Sequence, residues 1–304
     1  IVYPREFIVN WIFLAILAYF LWAITNIIDK ILVSKYVKDY FSLSLLCLFF
    51  GSLFILAYAL IVDGIKYINL IALIVAIGAG VARVVSYYLY YKAISYEEAS
   101  RVTILTQLAP IFTLLFSVLF ISETLSLNQF MAFILLLISG LLSSLKYDQK
   151  NFKISQAFWD MLLFAVFISA SAVMMKYVLQ IEGFWQCMIW IVMGEILSAL
   201  AICIIFKKPI YNIFLKTPNN GKALIIFNEI LSSSALVIYS LALTLGSVSL
   251  IGVLSSTNPI FVFILALLIS LFIPKLLKED IDIKTISLKI LAIIIMVVGI
   301  NLLK

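Results

Sequence analysis

Long apolar runs follow one another along this chain and constrain its fold more than any other feature. The hydrocarbon core of a bilayer is about 30 Å thick, so a helix needs about 20 consecutive apolar residues to cross it. Ten such runs, separated by short polar connections, cover residues 8–28, 41–62, 70–92, 100–121, 127–145, 157–178, 184–206, 222–244, 248–273 and 285–303. The sequence therefore predicts an all-α polytopic membrane protein with ten transmembrane helices.

Composition excludes several classes of protein. Charged residues make up 12% of the chain, against about 25% in soluble domains. The net charge of +6 comes from basic residues in short connections, which are typical topology determinants, so we expect no nucleic-acid partner. The chain has no histidine, and its three cysteines lie in apolar runs without CxxC spacing. We therefore expect no metal, no cofactor, no disulfide framework and no enzymatic activity.

An internal duplication organises the chain. A shift of 149 residues aligns residues 90–112 with residues 239–261 without a gap, and a slightly different shift aligns residues 41–51 with residues 184–194. The matched pairs include Tyr90 with Tyr239, Pro110 with Pro259, Phe41 with Phe184 and Gly51 with Gly194. Because five helices are an odd number, the second copy enters from the opposite side. The sequence thus predicts two inverted five-helix repeats, residues 1–149 and 150–304.

Three ionisable residues lie well inside apolar runs: Arg83, Glu195 and Glu229. Each costs about 2.5–3.5 kcal/mol to insert, so such groups usually face a cavity or a partner. One interpretation is that Arg83 holds a carboxylate or phosphate of a solute, while Glu195 or Glu229 binds a proton or the solute's ammonium. The alternative is an internal ion pair between Arg83 and a glutamate. In the repeat alignment Glu195 replaces Ser52, and Glu229 replaces Gly80.

Two prolines at equivalent positions, Pro110 and Pro259, predict helix breaks that line a binding site, act as hinges or only shape the helix. Gln107 and Asn258, which stand just before them, could bind a solute or satisfy the freed carbonyls. Residues 126–129 read as a capping box that starts a helix.

Aromatic and polar residues on two other helices complete the candidate site. Trp22 and Asn26 lie one turn apart and share a face, either toward a solute or toward a neighbouring helix. Tyr87 lies one turn from Arg83. Five charged residues near segment ends are predicted to be capping or snorkelling groups: Asp29, Lys30, Glu123, Asp160 and Lys176.

Two stretches resemble the EamA-type members of the drug/metabolite transporter superfamily. The stretch FLWAITNIIDK is similar to that family's Trp, Asn and Lys spaced by four, and ASRVTILTQLAPIFTLLFSVLFISETLSLNQ to its proline helix followed by Glu-x-Leu-Ser-x-x-Gln. The residues concerned are Trp22, Asn26, Lys30, Pro110, Glu123, Leu125, Ser126 and Gln129. The second repeat lacks the Glu-x-Leu-Ser ending after Pro259. The resemblance implies a secondary transporter with a central cavity between its halves, moving an amino acid or related metabolite.

The sequence leaves other functions and two membrane orientations open. A flippase for a lipid-linked head group, a membrane-embedded enzyme and a non-transporting scaffold or receptor are the other possibilities. No Walker motif is present, so a proton or exchange gradient would drive transport. We expect a monomer or homodimer in a prokaryotic plasma membrane, with the bilayer and a small molecule as partners. The resemblance implies cytoplasmic termini, whereas the distribution of Lys and Arg places both termini outside.

Overall fold

The computed structural model describes residues 10–37, 39–96, 102, 105–144, 156–205, 214–272 and 283–303. These residues form helices and connections, with no strand among them. The helices are α1 (Trp11–Ile31), α2 (Tyr40–Val62), α3 (Leu70–Tyr96), α4 (Ala109–Ile121), α5 (Leu127–Ser144), α6 (Gln156–Ile181), α7 (Phe184–Ile205), α8 (Asn219–Leu245), α9 (Val248–Val253), α10 (Asn258–Phe272) and α11 (Ile283–Leu302). The chain is thus all-helical, as its apolar runs predict.

Membrane-spanning capacity varies among these helices. Seven segments are long and apolar enough to cross a bilayer: Trp11–Tyr36, Tyr40–Val62, Leu70–Tyr96, Ala157–Ile181, Phe184–Ile205, Asn219–Leu245 and Val248–Leu265. Three shorter apolar helices cover Ala109–Ile121, Leu127–Leu142 and Ile290–Leu302. Each of the ten apolar runs overlaps one of these segments. The count of ten spans and their inverted arrangement stay predictions.

Local sequence explains several helix boundaries. Asn10 accepts a hydrogen bond from the amide of Ile12 and starts α1. The predicted capping box before α5 is confirmed, because Ser126 N donates to Gln129 Oε1 at 2.9 Å and Gln129 N donates to Ser126 Oγ at 3.3 Å. The α1 segment does not end at residue 28 as predicted, since a π-helical turn, Leu32–Tyr36, continues it.

The two prolines that were predicted to break helices both lie in the first turn of a helix. Pro110 is the second residue of α4, which follows a turn at residues 107–108. Pro259 is the second residue of α10, and the 3-10 turn Leu254–Thr257 separates α10 from α9. A proline fits the first turn because its missing N–H has no partner there in any case. In their described parts, the predicted run 100–121 is therefore interrupted by a turn and the run 248–273 by a 3-10 turn.

The helix contacts form equivalent pairs when each helix of α1–α5 is replaced by its counterpart in α6–α11, and the reverse. The contacts of α1 with α8 match those of α3 with α6, and the contacts of α3 with α7 match those of α2 with α8. In the same way, α4 packs on α6 as α10 packs on α1. The contacts of α2 with α7 and of α5 with α11 join counterpart helices, so each of these contacts is its own equivalent. Ser52 and Glu195, which occupy equivalent positions of the two sequence copies, touch directly, since Ser52 Oγ donates to Glu195 Oε2.

Glycines let helices approach closely at two of these crossings. A Cβ on Gly80 of α3 would lie 2.3 Å from the carbonyl oxygen of Ile191 on α7, and one on Gly194 would lie 2.6 Å from that of Ile77. At the equivalent crossing of α2 with α8, a Cβ on Gly51 would lie 2.8 Å from Oε2 of Glu229. One crossing therefore holds backbone against backbone, and the other leaves space for a carboxylate.

Residues from both halves hold the connection between α8 and α9. Lys176 Nζ donates to the carbonyl oxygens of Leu243 and Gly246 at 2.6 and 2.8 Å. Glu123 Oε2 accepts from the amide of Ser249 at 3.2 Å, at the start of α9. The positive Lys176 thus caps the carboxyl end of α8 and the negative Glu123 the amino end of α9. Both residues were predicted to be capping or snorkelling charges.

Candidate functional site

A central cavity of about 240 Å³ lies between the two halves of the bundle. Its wall is built by α1, α3 and α4 together with α6, α8, α9, α10 and the 3-10 turn. A second concavity, of about 450 Å³, is lined by Leu114, Val118, Leu125, Leu127 and Phe130. Because that concavity offers only apolar side chains, we assign the candidate site to the central cavity.

The central cavity brings together most of the residues singled out from the sequence. Eight of them lie on its wall: Trp22, Asn26, Arg83, Tyr87, Gln107, Pro110, Glu229 and Asn258. They come from five different helical segments and become neighbours only through packing. Glu195 and Pro259 are not on the wall.

Arg83 is joined to Glu195 in a buried ion pair, with Nε of Arg83 against Oε1 of Glu195. The two residues are 7% and 2% exposed. Arg83 also lies over the ring of Tyr87, with its Cζ 5.5 Å from the ring centroid. Glu195 stands on α7, behind the cavity wall, so it neutralises the guanidinium from the far side.

Asn26 and Asn258 contact each other across the interface of α1 with α10. Asn26 Nδ2 donates to Asn258 Oδ1 at 3.0 Å, and Asn258 Nδ2 donates to the carbonyl oxygen of Tyr19 at 3.0 Å. The hydroxyl of Tyr90 donates to Asn26 Oδ1 at 3.4 Å. Both asparagines line the cavity while they also tie α1 to the start of α10.

The helix break before Pro110 is stabilised by side chains of α4 and α6. Ser169 Oγ donates to the carbonyl oxygen of Ala109 at 2.7 Å, and Thr113 Oγ1 donates to the same oxygen at 3.0 Å. Gln107 is 2% exposed, and its Oε1 lies against Gly140 of α5, where a Cβ would be only 2.4 Å away. Gln107 therefore contributes to the wall while its amide oxygen faces α5.

The prediction that Asp29 is a helix-end charge is wrong. Since α1 continues past it, Asp29 lies on the cavity wall and is 7% exposed. Its Oδ1 accepts from the hydroxyl of Tyr91 at 2.6 Å and from Nδ2 of Asn228 at 2.9 Å. The spacing of Trp22, Asn26 and Asp29 (i, i+4, i+7) places them on one helical face, a signal that the sequence contained.

Two tyrosines on the wall, Tyr19 and Tyr239, were not predicted as site residues, and both pack with Trp22. The ring centroids are 5.5 Å apart for Tyr19 and Trp22, 5.4 Å for Trp22 and Tyr239, and 6.1 Å for Tyr19 and Tyr239. The hydroxyl of Tyr19 donates to the carbonyl oxygen of Ile251 at 3.1 Å. Tyr239 is the repeat partner of Tyr90, so the alignment pointed to both tyrosines as a pair.

Comparisons with known proteins agree with this architecture. The sequence profile described as "EamA-like transporter family" matches residues 9–145. A solved structure described as "Crystal structure of protein" superposes with a TM-score of 0.69 at 16% identity, over 97% of this chain and 95% of that chain. At that identity the likeness shows the fold alone. No curated protein matches the sequence.

Proposed function

We propose that this integral membrane protein is a secondary transporter of a small polar organic solute, because residues 9–145 match the EamA-like transporter family of the drug/metabolite transporter superfamily. The two halves would alternate access to the central cavity. The observation that carries the proposal is the cavity itself, whose wall takes polar and ionisable side chains from both halves. Such groups are costly in a membrane and mark solute pathways.

The helix breaks at Pro110 and Pro259 support a moving role for the segments that hold them. Each break lies on or beside the cavity wall and is bound by a helix of the other half, through Ser169 on α6 in one case and Asn26 on α1 in the other. In inverted-repeat carriers, discontinuous helices line the site and shift between states. We place the hinges at these two positions. The protein would act as a monomer or homodimer in a prokaryotic plasma membrane.

Solute flux into proteoliposomes tests the transport proposal. We expect at least one member of a panel of amino acids, sugars and polyamines to accumulate above the level in empty liposomes. Repeating the assay with a pH gradient separates proton coupling from exchange, because only coupled uptake depends on the gradient. A scaffold or receptor would move no member of any panel, and that result would contradict the proposal.

Gly51→Ala is expected to reduce transport while the protein stays folded. The new Cβ would lie 2.8 Å from Oε2 of Glu229 and 3.1 Å from Oγ of Ser233. Both atoms end side chains that can turn away, so the helices need not separate, but the carboxylate is displaced from the cavity wall. Initial uptake rate and thermal unfolding would be measured together. The matched control is Gly183→Ala, whose Cβ meets nothing within 4 Å; equal uptake by the two variants would argue against a role for the Glu229 position.

A further inference from the structure

Two buried carboxylates face the central cavity side by side. Asp29 on α1 and Glu229 on α8 are 7% and 4% exposed, and both belong to the cavity wall. The amide nitrogen of Asn228 joins them, donating to Asp29 Oδ1 at 2.9 Å and to Glu229 Oε1 at 3.2 Å. One neutral donor is thus shared by the two acids, and their other partners, Tyr91 for Asp29 and Cys47 for Glu229, are neutral as well.

No described cation is paired with either acid. The ion pairs within the described ranges are Lys66–Asp63, Arg83–Glu195 and Lys92–Asp160. Arg83 is the one Lys or Arg among the described residues of the cavity wall, and Glu195 already neutralises it. A buried carboxylate without a cation is costly, so the wall favours a ligand that brings positive charge.

Asn228 supplies an independent sign of a missing donor. Carboxylates only accept hydrogen bonds, so the amide nitrogen must face the two acids and the amide oxygen must face away from them. That oxygen, Oδ1, is buried and accepts no hydrogen bond, and the residue is 1% exposed on the cavity wall. Such an acceptor is normally satisfied by a donor outside the protein, either an ordered water or a bound molecule.

The hydrogen bonds of Asp29 leave one of its oxygens available. Tyr91 and Asn228 both donate to Oδ1, while no residue in the described part of the chain donates to Oδ2. An ammonium group has three donors and no acceptor. Placed between the acids, it could therefore bind Oδ2 of Asp29 and the carboxylate of Glu229 with a third donor left over.

The rest of the cavity fits an apolar body attached to that ammonium. Trp22 and Asp29 lie seven residues apart on one face of α1, a rise of about 10 Å. Trp22 packs with Tyr19 and Tyr239 at the far end of this distance. The indole N–H of Trp22 is buried without a hydrogen-bond partner, which allows an additional acceptor on the ligand.

We propose that the cavity selects a protonated organic amine with an aromatic or other apolar body. The ammonium binds between Asp29 and Glu229, and the body packs against Trp22 and Tyr239. This inference rests on the proposed transport function, because it names the solute class of the same cavity. It replaces the interpretation that Arg83 binds a carboxylate of the solute, since Glu195 already neutralises the Arg83 guanidinium.

Ligand binding by the purified full chain in detergent provides the test. Isothermal titration calorimetry would compare phenethylammonium, phenylalanine and 3-phenylpropionate, which share a ring and differ in charge. We expect the amine to bind tightest and the anion not to bind. Asp29→Asn and Glu229→Gln should each weaken amine binding at least about tenfold, the usual effect of losing a charged hydrogen bond. Asp63→Asn, an acid outside the cavity, should leave it unchanged.

Flux of the same three compounds in proteoliposomes separates the two proposals. Amine binding without flux of any solute would overturn transport and leave the charge assignment standing. Preferred binding of phenylalanine or phenylpropionate, or no binding of the amine, would overturn the charge assignment. The charge series on the wild-type chain decides this even if a variant fails to fold.

Discussion

Replacement of Glu195 by alanine is expected to lower the free energy of unfolding by about 3–5 kcal/mol, the usual cost of removing one partner of a buried ion pair. Arg83 is 7% exposed and would keep its charge without a counter-ion. Ser52 would also lose the carboxylate that accepts its hydroxyl. Thermal unfolding of the purified protein in detergent, followed by tryptophan fluorescence, measures the effect.

Two further variants make this expectation specific. Replacing Arg83 and Glu195 together with methionine should recover most of the lost stability, because a buried ion pair can often be exchanged for apolar residues of similar volume. Glu182→Ala removes a partly exposed carboxylate that accepts from the amide of Asn69, and it should change stability by less than about 1 kcal/mol. If the double variant unfolds at a lower temperature than Glu195→Ala, the unpaired charge is not the cause.

Gly80→Ala is expected to destabilise the protein by about 1–3 kcal/mol, as overpacking in well-packed interiors does. The added Cβ would lie 2.3 Å from the carbonyl oxygen of Ile191 and 2.7 Å from the amide nitrogen of Glu195. Both are backbone atoms of α7, so relief requires the two helices to move apart. Close approach through small residues is a main source of helix association in membranes.

Gly78 on the same helix offers a matched control for this variant. A Cβ there would lie 3.6 Å from Sδ of Met174, an ordinary contact with a flexible side chain. Gly78→Ala should therefore leave the thermal unfolding temperature in detergent almost unchanged. Equal stability of the Gly78→Ala and Gly80→Ala proteins would show that the crossing of α3 with α7 tolerates separation.

The sequence predicted the helical class and several residues of the cavity wall because both depend on local patterns. Apolar runs and their polar ends located the helices, and the duplication paired Pro110 with Pro259. Burial cost alone drew attention to Arg83 and Glu229, and the structure places both on the cavity wall.

The sequence could not predict which side chains contact one another, because these contacts depend on how the helices are rotated against one another. Nothing local says that Glu195 of α7 faces Arg83 of α3, or that Asn228 joins two acids. Asp29 was assigned to a helix end because the pair Asp29-Lys30 looked like the limit of an apolar run. The helix instead continues past it, and hydrogen bonds from Tyr91 and Asn228 satisfy the buried carboxylate.

The unequal glycine crossings have a consequence for how such a chain can diversify. Where Gly80 meets α7, any larger residue disturbs the scaffold, whereas the equivalent place on α8 holds Glu229 because Gly51 leaves room beside it. The predicted duplication would thus give the chain one crossing that needs a small residue for stability and a second that accommodates a charge. Under the proposed function, variants meant to redirect solute preference should therefore change position 229 and keep position 80 as glycine.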